Sequence, residues 1–185
     1  MKSKVLALIL LCGAASLGAK VKLPALVGDN MILQQQTEVK LWGTAAPEAE
    51  VRVTPSWNGQ TMTCRADKDG GWTLAVETPA AGYTPYEITF DDGEKTTLKN
   101  ILIGEVWLAS GQSNMEMPLK GFAGCCIMNG ADDIIVSAEN KGVRMFTVPK
   151  HQTYELQTDC KGSWNISSIE TAPDFSATAY YFATS

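Results

Sequence analysis

The sequence predicts a β-sandwich followed by an incomplete α/β unit, and three observations carry that prediction. From Val21 to Ile103 apolar residues recur at every second position, the period of a half-buried strand. Turn-forming pairs punctuate those runs at short intervals: Asn58-Gly59, Asp69-Gly70-Gly71 and Asp92-Gly93. After Ile103 the rhythm changes to single apolar runs alternating with helical segments, the signature of strand–helix units.

The elements follow in order. The opening "MKSKVLALILLCGAASLGAK" sets Lys2 and Lys4 before an apolar run from Val5 to Leu11 and then small residues, so residues 1–19 read as a cleaved export leader and the product as secreted or periplasmic. The apolar run is too short to span a bilayer. Cys12 follows the bulky Leu11, which argues against lipid attachment. Strand pairs come next: Val39 with Leu41, Val51 with Val53, Met62 with Cys64, Trp72 with Leu74 and Val76, and Ile88 with Phe90. Gly43 to Pro47 interrupts any regular structure. About seven short strands at this spacing suggest a sandwich over residues 20–102.

From residue 103 onward, "ILIGEVWLA" reads as a linker strand followed by a buried strand from Glu105 to Ala109. A short helix is expected from Ala131 to Asn140, where Asp132 and Asp133 favour the first turn and Lys141-Gly142 ends it. Val143 to Val148 reads as a second strand, and "APDFSATAYYFATS" as a helix capped by Asp174 with Phe175, Thr178, Ala179 and Phe182 on one face. Strand, helix, strand, helix implies a parallel sheet. Two strands make a poor sheet, so residues 103–185 read as the N-terminal part of a larger unit.

Composition excludes several classes. The 185 residues are 45% hydrophobic, enough for a buried core, and the formal charge of −5 comes with scattered rather than clustered lysines and arginines. That leaves no electrostatic footprint for nucleic acid or an anionic membrane, and a neutral polar substrate suits the chain better. Beyond Cys12 there are Cys64, Cys125, Cys126 and Cys160. A bridge from Cys125 or Cys126 to Cys160 is compatible with an oxidising compartment, and no spacing or histidine company marks a zinc site. "DKDGG", Asp67 to Gly71, places two aspartates as a calcium loop would, but its twelfth position is Thr78 rather than glutamate and its flanks are strands, so it reads as a turn. No metal or other cofactor is expected, and the sequence sets no oligomeric state.

The chemistry concentrates in "GEVWLASGQSNMEM", Gly104 to Met117. A serine at the end of a strand, flanked by glycine, is held out with its backbone N–H groups free. A serine hydroxyl is a weak nucleophile until a base takes its proton, and an acyl intermediate needs donors aimed at its developing negative oxygen. Ser113 is therefore the candidate nucleophile. Gln112 and Asn114 are candidates for orienting the loop or the substrate, with turn-forming hydrogen bonds as the plainer alternative. "GQSNM" lacks the second glycine of G-x-S-x-G, so the tight elbow of the α/β-hydrolase fold is not indicated.

"GQSNMEMPL" at Gly111 to Leu119, together with "LVGDNMILQQ" upstream and "VRMFTVPK" and "PDFSATAYYFA" downstream, resembles the sialate O-acetylesterase family of SGNH (GDSL-like) hydrolases. The resemblance implies a β-sandwich joined to a flavodoxin-like α/β/α hydrolase domain. It implies removal of O-acetyl groups from sugars such as sialic acids, with an O-acetylated sugar or glycan as the partner molecule. By position Ser113 matches the family nucleophile, and its backbone N–H would help bind the oxyanion. Gln112 stands where many members have aspartate.

The departures matter equally. The family takes its base from an Asp-x-x-His block, and its further oxyanion donors from a glycine and an asparagine in blocks that would follow the last helix here. His151, the one histidine, has Val148 at the matching distance and reads as a surface loop residue. The expectation is an N-terminal portion, residues 103–185 being the first part of the hydrolase domain, with little turnover of its own. Two alternatives remain: an acetyl xylan esterase, since related proteins with the same serine block act on acetylated xylan, or a non-catalytic carbohydrate-binding sandwich whose Trp57, Tyr83 and Tyr86 stack against sugar rings. "NIS", Asn165 to Ser167, fits an N-glycosylation acceptor but reads as a chance tripeptide.

Overall fold

The structure, a computed structural model, describes residues 20–185; the leader expected over residues 1–19 lies outside the described residues. Seven strands form early: β1 (Ile32–Gln34), β2 (Glu38–Thr44), β3 (Glu50–Pro55), β4 (Met62–Arg65), β5 (Gly71–Glu77), β6 (Gly82–Asp91) and β7 (Lys95–Gly104). Five of them make one sheet in the order β1-β7-β6-β3-β4, and β2 pairs antiparallel with β5 in a second. The large sheet curls as a half-barrel around a core to which both sheets contribute.

The alternating pattern explains this packing. Leu41 on β2, Val51 and Val53 on β3, Trp72, Leu74 and Val76 on β5, and Ile88 and Phe90 on β6 all point inward, while their neighbours face out. Trp72 and Phe90 meet across the two sheets with ring centroids 5.8 Å apart. The expected turns form where glycine is needed: Gly59, Gly70 and Gly93 all have positive φ, at 67°, 86° and 112°. In "DKDGG" the Asp67 carboxylate accepts the backbone N–H groups of Asp69 and Gly71 at 2.9 and 2.8 Å, a side-chain-stabilised turn. The β6–β7 ladder slips between Tyr86 and Ile88, and Asn100 takes a positive φ of 59° at that irregularity.

The second half departs from the expected parallel sheet. β7 ends at Gly104 and residues 105–111 form no strand. The chain continues through α1 (Ser113–Glu116), α2 (Gly130–Val136), β8 (Arg144–Phe146), β9 (Trp164–Ile166), a 3-10 turn at Ala172–Asp174 and α3 (Ala177–Thr184). The expected strand over Val143 to Val148 is the shorter β8, and it pairs antiparallel with β9, an element absent from the sequence reading, rather than with residues 105–109. A parallel strand buried on both faces needs neighbours on each side. No described segment supplies them, so Val106, Trp107 and Leu108 stay 41%, 67% and 94% exposed.

The last helix is also corrected. Its N-cap is Ser176, whose hydroxyl accepts the Ala179 N–H at 3.3 Å, rather than Asp174, which falls in the 3-10 turn. The buried face comprises Ala177, Ala179 and Tyr180, while Phe182 is 54% exposed. Leu119, Met145, Ala172, Ala177 and Tyr180 form a second buried cluster, separate from the first. Cys64, Cys125, Cys126 and Cys160 are all free thiols, so the bridge to Cys160 considered above is not formed. Among the described residues, no helix is long and apolar enough to cross a membrane.

Candidate active site

The serine block is positioned from both ends. At its start, the side-chain amides of Gln34 and Gln35 donate to the two carboxylate oxygens of Glu105 at 2.9 and 2.6 Å. The Gln34 side-chain oxygen in turn accepts the Val106 N–H at 2.9 Å, and the Gln35 side-chain oxygen accepts the Ala81 N–H. These bonds hold the Glu105 carboxyl below the ordinary carboxylate range. "QQ" at the end of β1 thus fixes where the chain leaves β7 on its way to Ser113, a role that the sequence reading missed.

At its far end the block docks on α3. The Met117 carbonyl accepts the Ala177 N–H at 2.8 Å, Leu119 N–H donates to the Phe175 carbonyl at 2.9 Å, and the Thr178 hydroxyl donates to the Asn114 carbonyl at 3.1 Å. Ser176 also donates to the Met115 sulfur at 3.2 Å. Lys120 pairs with Asp174 and Lys150 with Glu116 on the exterior. The packing reason lies in Leu119: its side chain is fully buried against Ala177 and Tyr180, which draws the preceding turn onto the helix.

A third joint ties the two halves together. Arg144 on β8 donates to the Asn30 carbonyl at 3.4 Å and to the Asn100 side-chain oxygen at 3.2 Å, while Asn100 donates to the Asn30 side-chain oxygen at 2.7 Å. Burial lowers the Arg144 pKa. Trp164 on β9 adds an indole bond to the Leu26 carbonyl at 2.8 Å. The four sequence segments that carry the family resemblance therefore converge: the one containing Asn30, Gln34 and Gln35, the serine block, the one containing Arg144, and the one containing Ser176.

Ser113 itself is exposed and occupies the first position of α1. Its carbonyl accepts the Met117 N–H at 3.2 Å. Gln112 precedes the helix, with its carbonyl accepting the Met115 and Glu116 N–H groups at 2.9 and 3.1 Å. The structure brings Gln112, Ser113 and Asn114 together on one exposed turn, where their side chains make no hydrogen bond among the described residues. One expectation is corrected here: no strand runs into the turn. Ser113 lines neither a groove of about 530 Å³ beside Trp42, Arg65 and Asp159 nor one of about 800 Å³ beside Tyr83, Trp107, Arg144 and Phe182.

Of the aromatics considered for glycan stacking, Trp57 and Tyr86 are occupied with each other, edge to face at 5.7 Å, and the Trp57 indole donates to the Glu77 carbonyl. Tyr83 is 86% exposed on the rim of the larger groove. His151 is exposed on the segment between β8 and β9 and makes no hydrogen bond to Ser113. As it stands, the turn presents a free hydroxyl without an attached base.

No family model matches the chain. It is 27% identical over 175 residues to the sialate O-acetylesterase of Rattus norvegicus, covering 86% of this chain and 31% of that protein. It is 29% identical over 161 residues to that of Homo sapiens, covering 80% of this chain and 29% of that protein. Among solved structures, a carbohydrate acetylesterase from Xanthomonas citri superposes with a TM-score of 0.81 at 32% identity, covering 89% of this chain and 36% of that one. The chain spans about a third of the length of these relatives. Similarity that runs through nearly all the described residues, in sequence and in fold together, makes the chain a homologue of part of the sialate O-acetylesterases.

Proposed function

We propose that this chain carries the nucleophile of a carbohydrate O-acetylesterase of the sialate 9-O-acetylesterase type. In this reading Ser113 attacks the acetyl carbonyl, its backbone N–H helps hold the oxyanion, and Gln112 and Asn114 orient the loop or the sugar. The layout proposed with it is a β-sandwich over residues 20–102 and the first part of an SGNH hydrolase domain from residue 103, exported by the leader at residues 1–19. The single observation that carries the proposal is the exposed Ser113 turn, clamped at both ends, in a chain similar to acetylesterases over most of its length.

The chemistry sets a condition. A serine without a base retains only the part of the rate that comes from binding and oxyanion donors. No base reaches the Ser113 hydroxyl among the described residues, so the 185-residue chain alone is expected to turn over little substrate. The test is acetate release from a 9-O-acetylated sialoside by the chain alone, and by the chain continued with the unmatched remainder of the Xanthomonas citri acetylesterase. The chain alone should stay near the buffer rate, and the continued chain should release acetate in a manner abolished by Ser113→Ala. Robust Ser113-dependent release by the chain alone would refute the incompetence, and faster release from acetylated xylan would favour the xylan esterase.

A further inference from the structure

The groove of about 530 Å³, where the first half meets Thr158 and Asp159 of the segment between β8 and β9, shares no residue with the Ser113 turn or the segments that clamp it. Lys22, Trp42, Arg65, Asp67, Trp72 and Asp159 all lie along it. Its size falls within the range of sites that hold small molecules. Three features of its lining bear on what would fit there.

The first is charge. Two basic and two acidic side chains share the groove, and none of the four forms an ion pair with another. Their charges cancel over the site as a whole, so neither an anion nor a cation is favoured. What the mixture offers is donors interleaved with acceptors. One oxygen of Asp67 is taken by the Asp69 and Gly71 N–H groups, and one oxygen of Asp159 by those of Ala25 and Cys160. These bonds fix both carboxylates while leaving each a second oxygen.

The second is an aromatic wall. Trp42, half-buried on β2, presents apolar surface beside those polar groups. The third is an orphaned donor: Trp72 is 4% exposed, and its indole N–H has no hydrogen-bond partner among the described residues. A buried N–H without an acceptor is costly. The edge of the Trp72 ring faces Gly43, itself in the groove wall, where an added Cβ would stand 2.9 Å from Cζ2 and 3.2 Å from Cε2, the carbon next to that nitrogen. The Lys22 carbonyl oxygen would stand closer still, so glycine at position 43 is what lets the Lys22 backbone and the Trp72 ring pack against this strand.

We infer that this groove binds a neutral sugar unit of an oligosaccharide, with the ring against Trp42 and its hydroxyls bonded to Arg65, Asp67 and Asp159. A sugar hydroxyl both donates and accepts, which matches a lining of unpaired charges of both signs, and a pyranose ring presents C–H groups that pack on an indole. The site stands independently of the esterase reading, because it uses none of the residues around Ser113.

The experiment is a titration of the 185-residue chain with xylotetraose, followed by tryptophan fluorescence and by saturation-transfer NMR, with tetragalacturonate as the charged counterpart. Binding of xylotetraose at about millimolar Kd is expected. Trp42→Ala and Arg65→Ala should each weaken it at least about tenfold, one decade of affinity. Arg65 is exposed, so its variant should keep the wild-type circular dichroism and melting temperature even if Trp42→Ala does not. Absence of xylotetraose binding, affinity unchanged in a folded Arg65→Ala, or tighter binding of tetragalacturonate would each overturn the inference.

Discussion

Phe90 gives a direct measure of how the two sheets are held together. Its side chain is fully buried on β6 and packs against Trp72 of the facing sheet at 5.8 Å between ring centroids. Phe90→Ala removes that ring from a core already filled from both sides, a change that costs about 3–5 kcal/mol when neighbours relax only partly. In a domain of this size each kcal/mol moves the melting temperature by about 2–4 °C, so a loss near 4 kcal/mol lowers it by roughly 8–16 °C. The preceding residue is the control. Thr89 sits on the opposite face, where its hydroxyl bonds that of Thr97 at 3.0 Å, and Thr89→Ala should cost no more than about 1 kcal/mol. Thermal unfolding followed by circular dichroism and urea unfolding followed by tryptophan fluorescence would measure both. A Phe90→Ala protein melting within about 2 °C of wild type, or a Thr89→Ala protein less stable than Phe90→Ala, would refute the assignment of inner and outer faces.

Two further predictions concern the joints around the serine. Arg144→Met should destabilise the chain by about 1–3 kcal/mol in urea unfolding, because the Asn30 carbonyl and the Asn100 side chain lose a charged donor in a half-buried place; an unchanged midpoint would show that the joint carries no energy. Glu105 has a depressed folded pKa, so the clamp that it contributes is present above the unfolded carboxylate value and is lost as pH falls through the lower folded value. Trp107, two residues on and edge to face with Phe182 at 5.1 Å, should report that loss as a fluorescence transition below the ordinary glutamate range. The transition should vanish in Glu105→Gln, and a midpoint at or above the ordinary range would contradict the assignment.

What was legible in the sequence follows from which interactions are local. Period-two alternation with Asn-Gly and Asp-Gly turns marks strands whose burial depends on their own pattern, and β2 through β6 lie where those signals put them. The serine turn was legible for the same reason, since Gly111 to Met117 form a contiguous block. Residues 105–109 failed because an apolar run becomes a buried strand only when neighbours flank it, and β8 spent its edge on β9. Asp174 failed as a cap because the chain makes a 3-10 turn first, leaving Ser176 to bond the helix N terminus. The clamps are the least legible part: Gln34 and Gln35 with Glu105, and Arg144 with Asn30 and Asn100, join residues far apart in the chain. Only the fold brings them into contact.

The account rests on the Ser113 hydroxyl as the group that receives the acetyl unit. Rapid acid quenching of the chain continued with its relative's remainder, during turnover of a 9-O-acetylated sialoside, followed by peptide mass spectrometry, tests that most directly. The account predicts one acetyl group on the peptide carrying Ser113, located on that side chain by fragmentation and absent from Ser113→Ala. Acetate released at full rate with Ser113 unmodified throughout, or with the acetyl group on another residue, would contradict it.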